Sequence, residues 1–212
     1  MRDCLFLVAD SNMAHALKGF FGREAFHLSV GCRSISVEEM DIVVASGQND
    51  PGLYIRASEL LKVYSGEYSH AVVMVDAEWR GAPEPQDIRN ALEGHLREAG
   101  WPPPQGCAIV IEPEVDNWLW TDTPHTAAAL RWPSVVELRQ ALQERDMWPQ
   151  GAAKPPRPKE AADWAIRQKG KPRSSAIYQQ VASHVSLGRC CDTAVASLVS
   201  ALRQWFPPED AQ

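Results

Sequence analysis

The residues most able to do chemistry are carboxylates that stand directly after apolar runs. Asp10 follows Cys4–Ala9, Asp76 and Glu78 follow Ala71–Val75, and Glu112, Glu114 and Asp116 follow Cys107–Ile111. Acids gathered in one place repel one another, and a divalent cation relieves that repulsion. Oxygen donors select a hard ion, Mg²⁺ or Mn²⁺, over zinc. Such an ion assists phosphoryl transfer by offsetting charge on the transferring group and by activating water. The competing role for each acid is structural: strand ends are turns and helix starts, and Asp10 is well placed to cap a helix beginning near Met13. Three acidic groups after three strands are what carry the site beyond that role.

Those acids need a sheet to bring them together. The three apolar runs read as strands buried on both faces of a mainly parallel sheet. A fourth strand is expected near Asp41–Ser46 and another near Phe26–Val30. Helices are expected between them: one carrying Met13, Leu17 and Phe20 up to Gly22, one through Leu53–Tyr64, and one over Pro85–Ala99, where Ile88, Leu92 and Leu96 recur every four residues. Pro113 suggests a helix start within Glu112–Trp120. Strands alternating with helices imply an α/β fold, a mostly parallel sheet flanked by helices. In an open parallel sheet ligands bind beyond the carboxyl ends of the strands, so the acids share one edge.

The chain divides in composition. Residues 1–148 form the expected α/β domain, residues 149–173 a basic, Pro-containing linker with a short helix, and residues 174–212 a helical C-terminal region packed on the same core. Lys154, Arg157, Lys159, Arg167, Lys169, Lys171 and Arg173 face only Glu160 and Asp163 in that linker. The local positive excess, with Lys169, Lys171 and Arg173 leading to a helix start at Ser174, makes these three candidates for holding a phosphate backbone.

Other classes fare poorly. The 212 residues carry a net charge of −6, unlike a domain whose whole surface is a nucleic-acid footprint. Five cysteines without a C-x-x-C pair argue against a disulfide framework or zinc knuckle and fit a reduced cytoplasm. No signal peptide or membrane-spanning run is read. The phosphate-loop pattern Gly-x₄-Gly-Lys-Ser/Thr and the dinucleotide pattern Gly-x-Gly-x-x-Gly are both absent from the sequence, so any ATP chemistry belongs to a partner. Ser11, His15 and His70 lack the setting of a nucleophile and base. Trp118 and Trp120 read as core anchors, with base stacking as the alternative, and Cys190 and Cys191 as helix-packing residues.

The order Leu7-Val8-Ala9-Asp10, a long gap, then Val73-Met74-Val75-Asp76-Ala77-Glu78 resembles the TOPRIM domain of topoisomerases, primases and related nucleases. Glu112–Leu119 and the Ser174–Trp205 region are similar to those of small TOPRIM-like bacterial proteins often found in anti-phage defence islands. The resemblance implies a Mg²⁺- or Mn²⁺-dependent nuclease-type protein acting on nucleic acid. Asp10, Asp76 and Glu78 are then its catalytic residues and, with Glu114, its metal ligands. It also implies partner proteins of a defence system, with a system linked to DNA methylation and an ATPase among the candidates. The family carries Glu at the first position and Asp-x-Asp at the second, whereas this chain has Asp10 and Glu78. Those departures support an alternative, a catalytically degenerate binding or scaffold subunit of a multi-protein complex. Asp10 turned into its own helix and Glu78 turned to solvent would favour the alternative.

Overall fold

The structure is a computed structural model and describes residues 1–121, 123–170, 172–185, 190 and 192–208. In chain order, the strands are β1 (Arg2–Val8), β2 (Ile42–Val44), β3 (Tyr68–Asp76) and β4 (Gly106–Ile111). The α-helices are α1 (Ser11–Phe21), α2 (Phe26–Val30), α3 (Asn49–Lys62), α4 (Pro85–Ala99), α5 (Pro124–Ala129), α6 (Val135–Gln143), α7 (Pro158–Gln168), α8 (Ala176–Ala182) and α9 (Thr193–Trp205). The strands form one all-parallel sheet in the order β2-β1-β3-β4, flanked by helices. The fold is therefore α/β with a parallel sheet, as the alternation of apolar runs and helical patterns implies.

The apolar runs become strands because both of their faces are covered. Cys4 through Val8 and Ala71 through Val75 are all buried, which suits a parallel sheet packed between helices. Register then aligns the strand ends. Val8 pairs with Met74 and Asp76 with Ile111, and the Ala9 amide continues the ladder to the Met74 carbonyl at 3.2 Å. Asp10, two residues past Val8, thus falls level with Asp76, two residues past Met74.

Phe26–Val30, expected as a strand, is a helix. Phe26 and Val30 are the buried residues of α2, four apart and hence on one helical face, while Leu28 between them is 75% exposed. A strand would have turned Leu28 to the same side as those two. The helix expected from Pro113 is a short 3-10 turn, Val115–Leu119, preceded by Glu114 in extended conformation.

The helical C-terminal region shares the core of the sheet: Tyr178, Val181, Leu198, Leu202 and Phe206 belong to the same buried cluster as β1 and β3. Helix α8 lies against α1 so closely that a Cβ on Gly19 would stand 2.3 Å from the Gln179 carbonyl oxygen. The stretch between Trp148 and α7 runs along the surface and is tied down. Pro155 and Pro158 are buried, Lys154 Nζ donates to the Asn117 carbonyl at 2.9 Å, and Trp120 Nε1 donates to the Pro158 carbonyl at 3.1 Å.

Candidate functional site at the carboxyl edge of the sheet

Asp76 ends β3 and is 8% exposed. Its Oδ1 accepts from the Val115 amide at 2.7 Å, which fixes the carboxylate toward the segment after β4. Its own backbone N–H donates to Asp50 Oδ1 at 2.7 Å. Burial raises the Asp76 carboxyl well above the usual carboxylate range; the charges of Asp50, Asp10 and Glu114 add to the rise, and the Val115 amide opposes it.

Asp50 stands in the first turn of α3, beside that same strand end. Burial raises its pKa and Asp10 raises it further, while the amides of Asp76 and Asp50 and the charge of Lys159 oppose the rise. Sequence reasoning missed this residue by treating Gly47–Gly52 as a turn. The signal present was an Asp before Pro51, after the second strand, at a helix start.

Asp10 caps α1: its Oδ1 accepts from the Met13 amide at 2.9 Å. Its charge nonetheless reaches both Asp50 and Asp76. Glu114 is half-buried, and its Oε1 accepts from the Lys159 amide at 3.1 Å, at the start of α7. Burial raises the Glu114 carboxyl, Asp116 adds to this, and Lys159 and Arg173 counter it. Lys159 therefore acts on Asp50 and Glu114 together, a role its place in the basic stretch did not reveal.

Glu78 does not join these four. An Asp-x-Glu spacing puts both side chains on one face only while the strand continues, and β3 ends at Asp76. The amides of Ala77 and Glu78 both donate to the Pro113 carbonyl, and the chain turns away. Glu78 is exposed and lines a separate open cleft with Glu84 and Glu112.

The basic candidates are engaged elsewhere. Arg173 donates to Asp163 Oδ1 at 2.7 Å and to Asp116 Oδ1 and the Tyr178 hydroxyl. Tyr178 in turn donates to Asp116 Oδ1 at 2.9 Å. Asp116 is thereby a buried carboxylate held by an arginine and a phenol. Lys169 Nζ sits 4.0 Å from the centroid of the Trp132 ring. Lys171 lies outside the described residues. Trp120 is buried edge-to-face against Trp148, with ring centroids 5.3 Å apart, while Trp118 is half-buried.

The donors at the edge are all carboxylate oxygens, hard ligands suited to Mg²⁺ or Mn²⁺. Among the described residues, no three acids, imidazoles or thiols are grouped so as to hold an ion by themselves. Mg²⁺ keeps several of its waters and commonly takes only one or two carboxylates; the acids this edge could offer it are Asp76 and Asp50, one oxygen of each already accepting a backbone N–H. No family model, curated protein or solved structure matches the chain. Among the described residues no helix is long and apolar enough to cross a membrane.

Proposed function

We propose that the chain is a TOPRIM-like, Mg²⁺- or Mn²⁺-dependent nucleic-acid-processing protein of nuclease type, working in the cytoplasm as a component of a bacterial anti-phage defence system. The observation that carries the reading is the setting of Asp76: a buried carboxylate with the like charges of Asp50, Asp10 and Glu114 acting on it. Such a group is costly unless it is protonated or paired with a cation. Its place at the carboxyl end of a central parallel strand is where α/β sheets take their ligands.

In this reading Asp76 and Asp50 would hold the ion, and Asp10 and Glu114 would add negative charge beside it. When bound, the ion offsets charge on the phosphodiester and lowers the pKa of the attacking water. The Val115 amide orients Asp76, and Lys159, whose charge acts on Glu114 and Asp50, presents positive charge to the substrate phosphate. Lys169 and Arg173 are tied to Trp132 and to Asp116 and Asp163, so the phosphate grip passes to Lys159.

The test is a cleavage assay on single- and double-stranded DNA and on RNA with Mg²⁺ or Mn²⁺, on wild type and Asp76→Asn. Metal-dependent cleavage lost in Asp76→Asn supports the proposal, and full activity in that variant sinks it.

A second reading, a catalytically silent binding or scaffold subunit, is favoured by two placements. The Asp10 carboxylate is committed to capping α1, and Glu78 faces solvent. Mg²⁺ that raises the melting temperature of wild type without any cleavage would select it.

A further inference from the structure

Between α1, α8, α9 and the segment after β4 lies a cavity of about 460 Å³ that the acidic edge does not use. Its volume falls within the range of roughly 300–1,000 Å³ typical of small-molecule sites. Leu17, Phe20, Leu198 and the ring of Tyr178 supply apolar walls.

The polar groups on the wall differ in what they already bond. Thr121 and Thr123 share a hydroxyl contact at 2.9 Å, and the Tyr178 hydroxyl is taken by Asp116. Lys154 donates to the Asn117 carbonyl and stands 3.9 Å from Asp192.

Two donors remain. Among the described residues the indole Nε1 of Trp118 is buried with no acceptor, and a buried polar group left unpaired is costly. Arg23 is half-buried; its Nε, at 2.8 Å, and its Nη2 both donate to the Ala182 carbonyl, and its guanidinium carbon lies 5.7 Å from the centroid of the Phe20 ring. Among the described residues no carboxylate pairs with it, and burial alone acts on it, lowering its pKa. Among the described residues, a guanidinium without a carboxylate and an indole N–H without an acceptor stand with an apolar chamber, and together they describe the chemistry of a ligand.

We propose that this cavity binds an organic carboxylate with an apolar body. The carboxylate pairs with Arg23, an acceptor oxygen takes the Trp118 N–H, and the body lies among Leu17, Phe20 and Leu198. This assignment stands independently of the acidic edge.

The probes are 2-naphthoate and its neutral twin 2-naphthamide, titrated into the full chain by calorimetry. Both offer an acceptor oxygen to Trp118, and only the acid answers Arg23. Naphthoate should bind saturably at one site, and the amide at least about tenfold more weakly, as expected for a hydrogen bond to a charged group. Arg23→Met, which keeps the apolar stem, should erase that difference. Val195→Trp, on the α9 wall, should abolish binding with an unchanged circular dichroism spectrum. Ala153→Trp, at an exposed wall position, provides the same test if the first variant does not fold. Absence of saturable naphthoate binding, equal binding of the amide, an acid-over-amide preference that survives Arg23→Met, or wild-type affinity in a folded cavity-filling variant would each overturn the assignment.

Discussion

Replacing Arg173 with methionine separates an arginine that holds the fold together from one that waits for phosphate. Its side chain is 23% exposed, and the Asp116 side chain it contacts is 4% exposed. Methionine keeps most of the stem and removes the charge, leaving Asp116 buried with, among the described residues, the Tyr178 hydroxyl as its side-chain donor. Breaking a buried pair from one side costs about 3–5 kcal/mol, because the remaining charge is uncompensated. For a chain of this size each kcal/mol moves the melting temperature by about 2–4 °C, so the expected drop is roughly 6–20 °C. The double variant Arg173→Met/Asp116→Asn should recover most of the loss, since it removes the stranded charge and keeps an acceptor for Tyr178. Thermal or urea unfolding followed by far-ultraviolet circular dichroism reads all three proteins. A single variant within about 1 kcal/mol of wild type, the range of exposed ion pairs, would refute the argument and return Arg173 to the surface as a phosphate contact.

Three further outcomes follow from the same structure. Asp76, Asp50 and Glu114 have carboxyl pKa values raised by folding, so with chelator present their contribution is whole below the unfolded carboxylate pKa and is lost as pH rises through the folded values. Asp76→Asn, which preserves the acceptor for Val115, should therefore raise the melting temperature of the metal-free protein at neutral pH and flatten its fall between acid and neutral pH; a lowered melting temperature would contradict this. Gly19→Ala drives a methyl group toward the Gln179 carbonyl oxygen, 2.3 Å from the ideal Cβ position; overpacking of this kind costs about 1–3 kcal/mol, and unchanged urea unfolding would show that α8 shifts freely on α1. Burial raises the thiol pKa of Cys4 and Cys32 and pushes Cys107 up to about 11, so mass spectrometry after a thiolate-selective reagent at pH 8 should find these three labelled far more slowly in native protein than in urea, and equal rates would count against their burial.

The parts of this protein legible in its sequence are those whose signal is local. Continuous apolar runs at Cys4–Ala9, Ala71–Val75 and Cys107–Ile111 specify strands covered on both faces, because only a parallel sheet between helices buries both sides. Ile88, Leu92 and Leu96 likewise specify the inward face of Pro85–Ala99, and the helix has those bounds. Phe26–Val30 was too short to separate a period of two from one of four, and burial of Phe26 and Val30 together resolved it as helix.

The acidic edge was legible in part for the same reason. Asp10 and Asp76 follow strands in sequence, and the parallel register sets them level, whereas the place of Asp50 beside Asp76 depends on where α3 begins relative to the sheet. Glu78 matched a spacing but lost its face when β3 ended. The basic stretch showed charge without partners, since sequence does not say that Asp116, 57 residues before Arg173, will lie beside it once α7 and α8 dock on the turn after β4. Local periodicity thus determined the sheet and the approximate place of the acids, and long-range packing decided which carboxylates face each other and which cations are already taken.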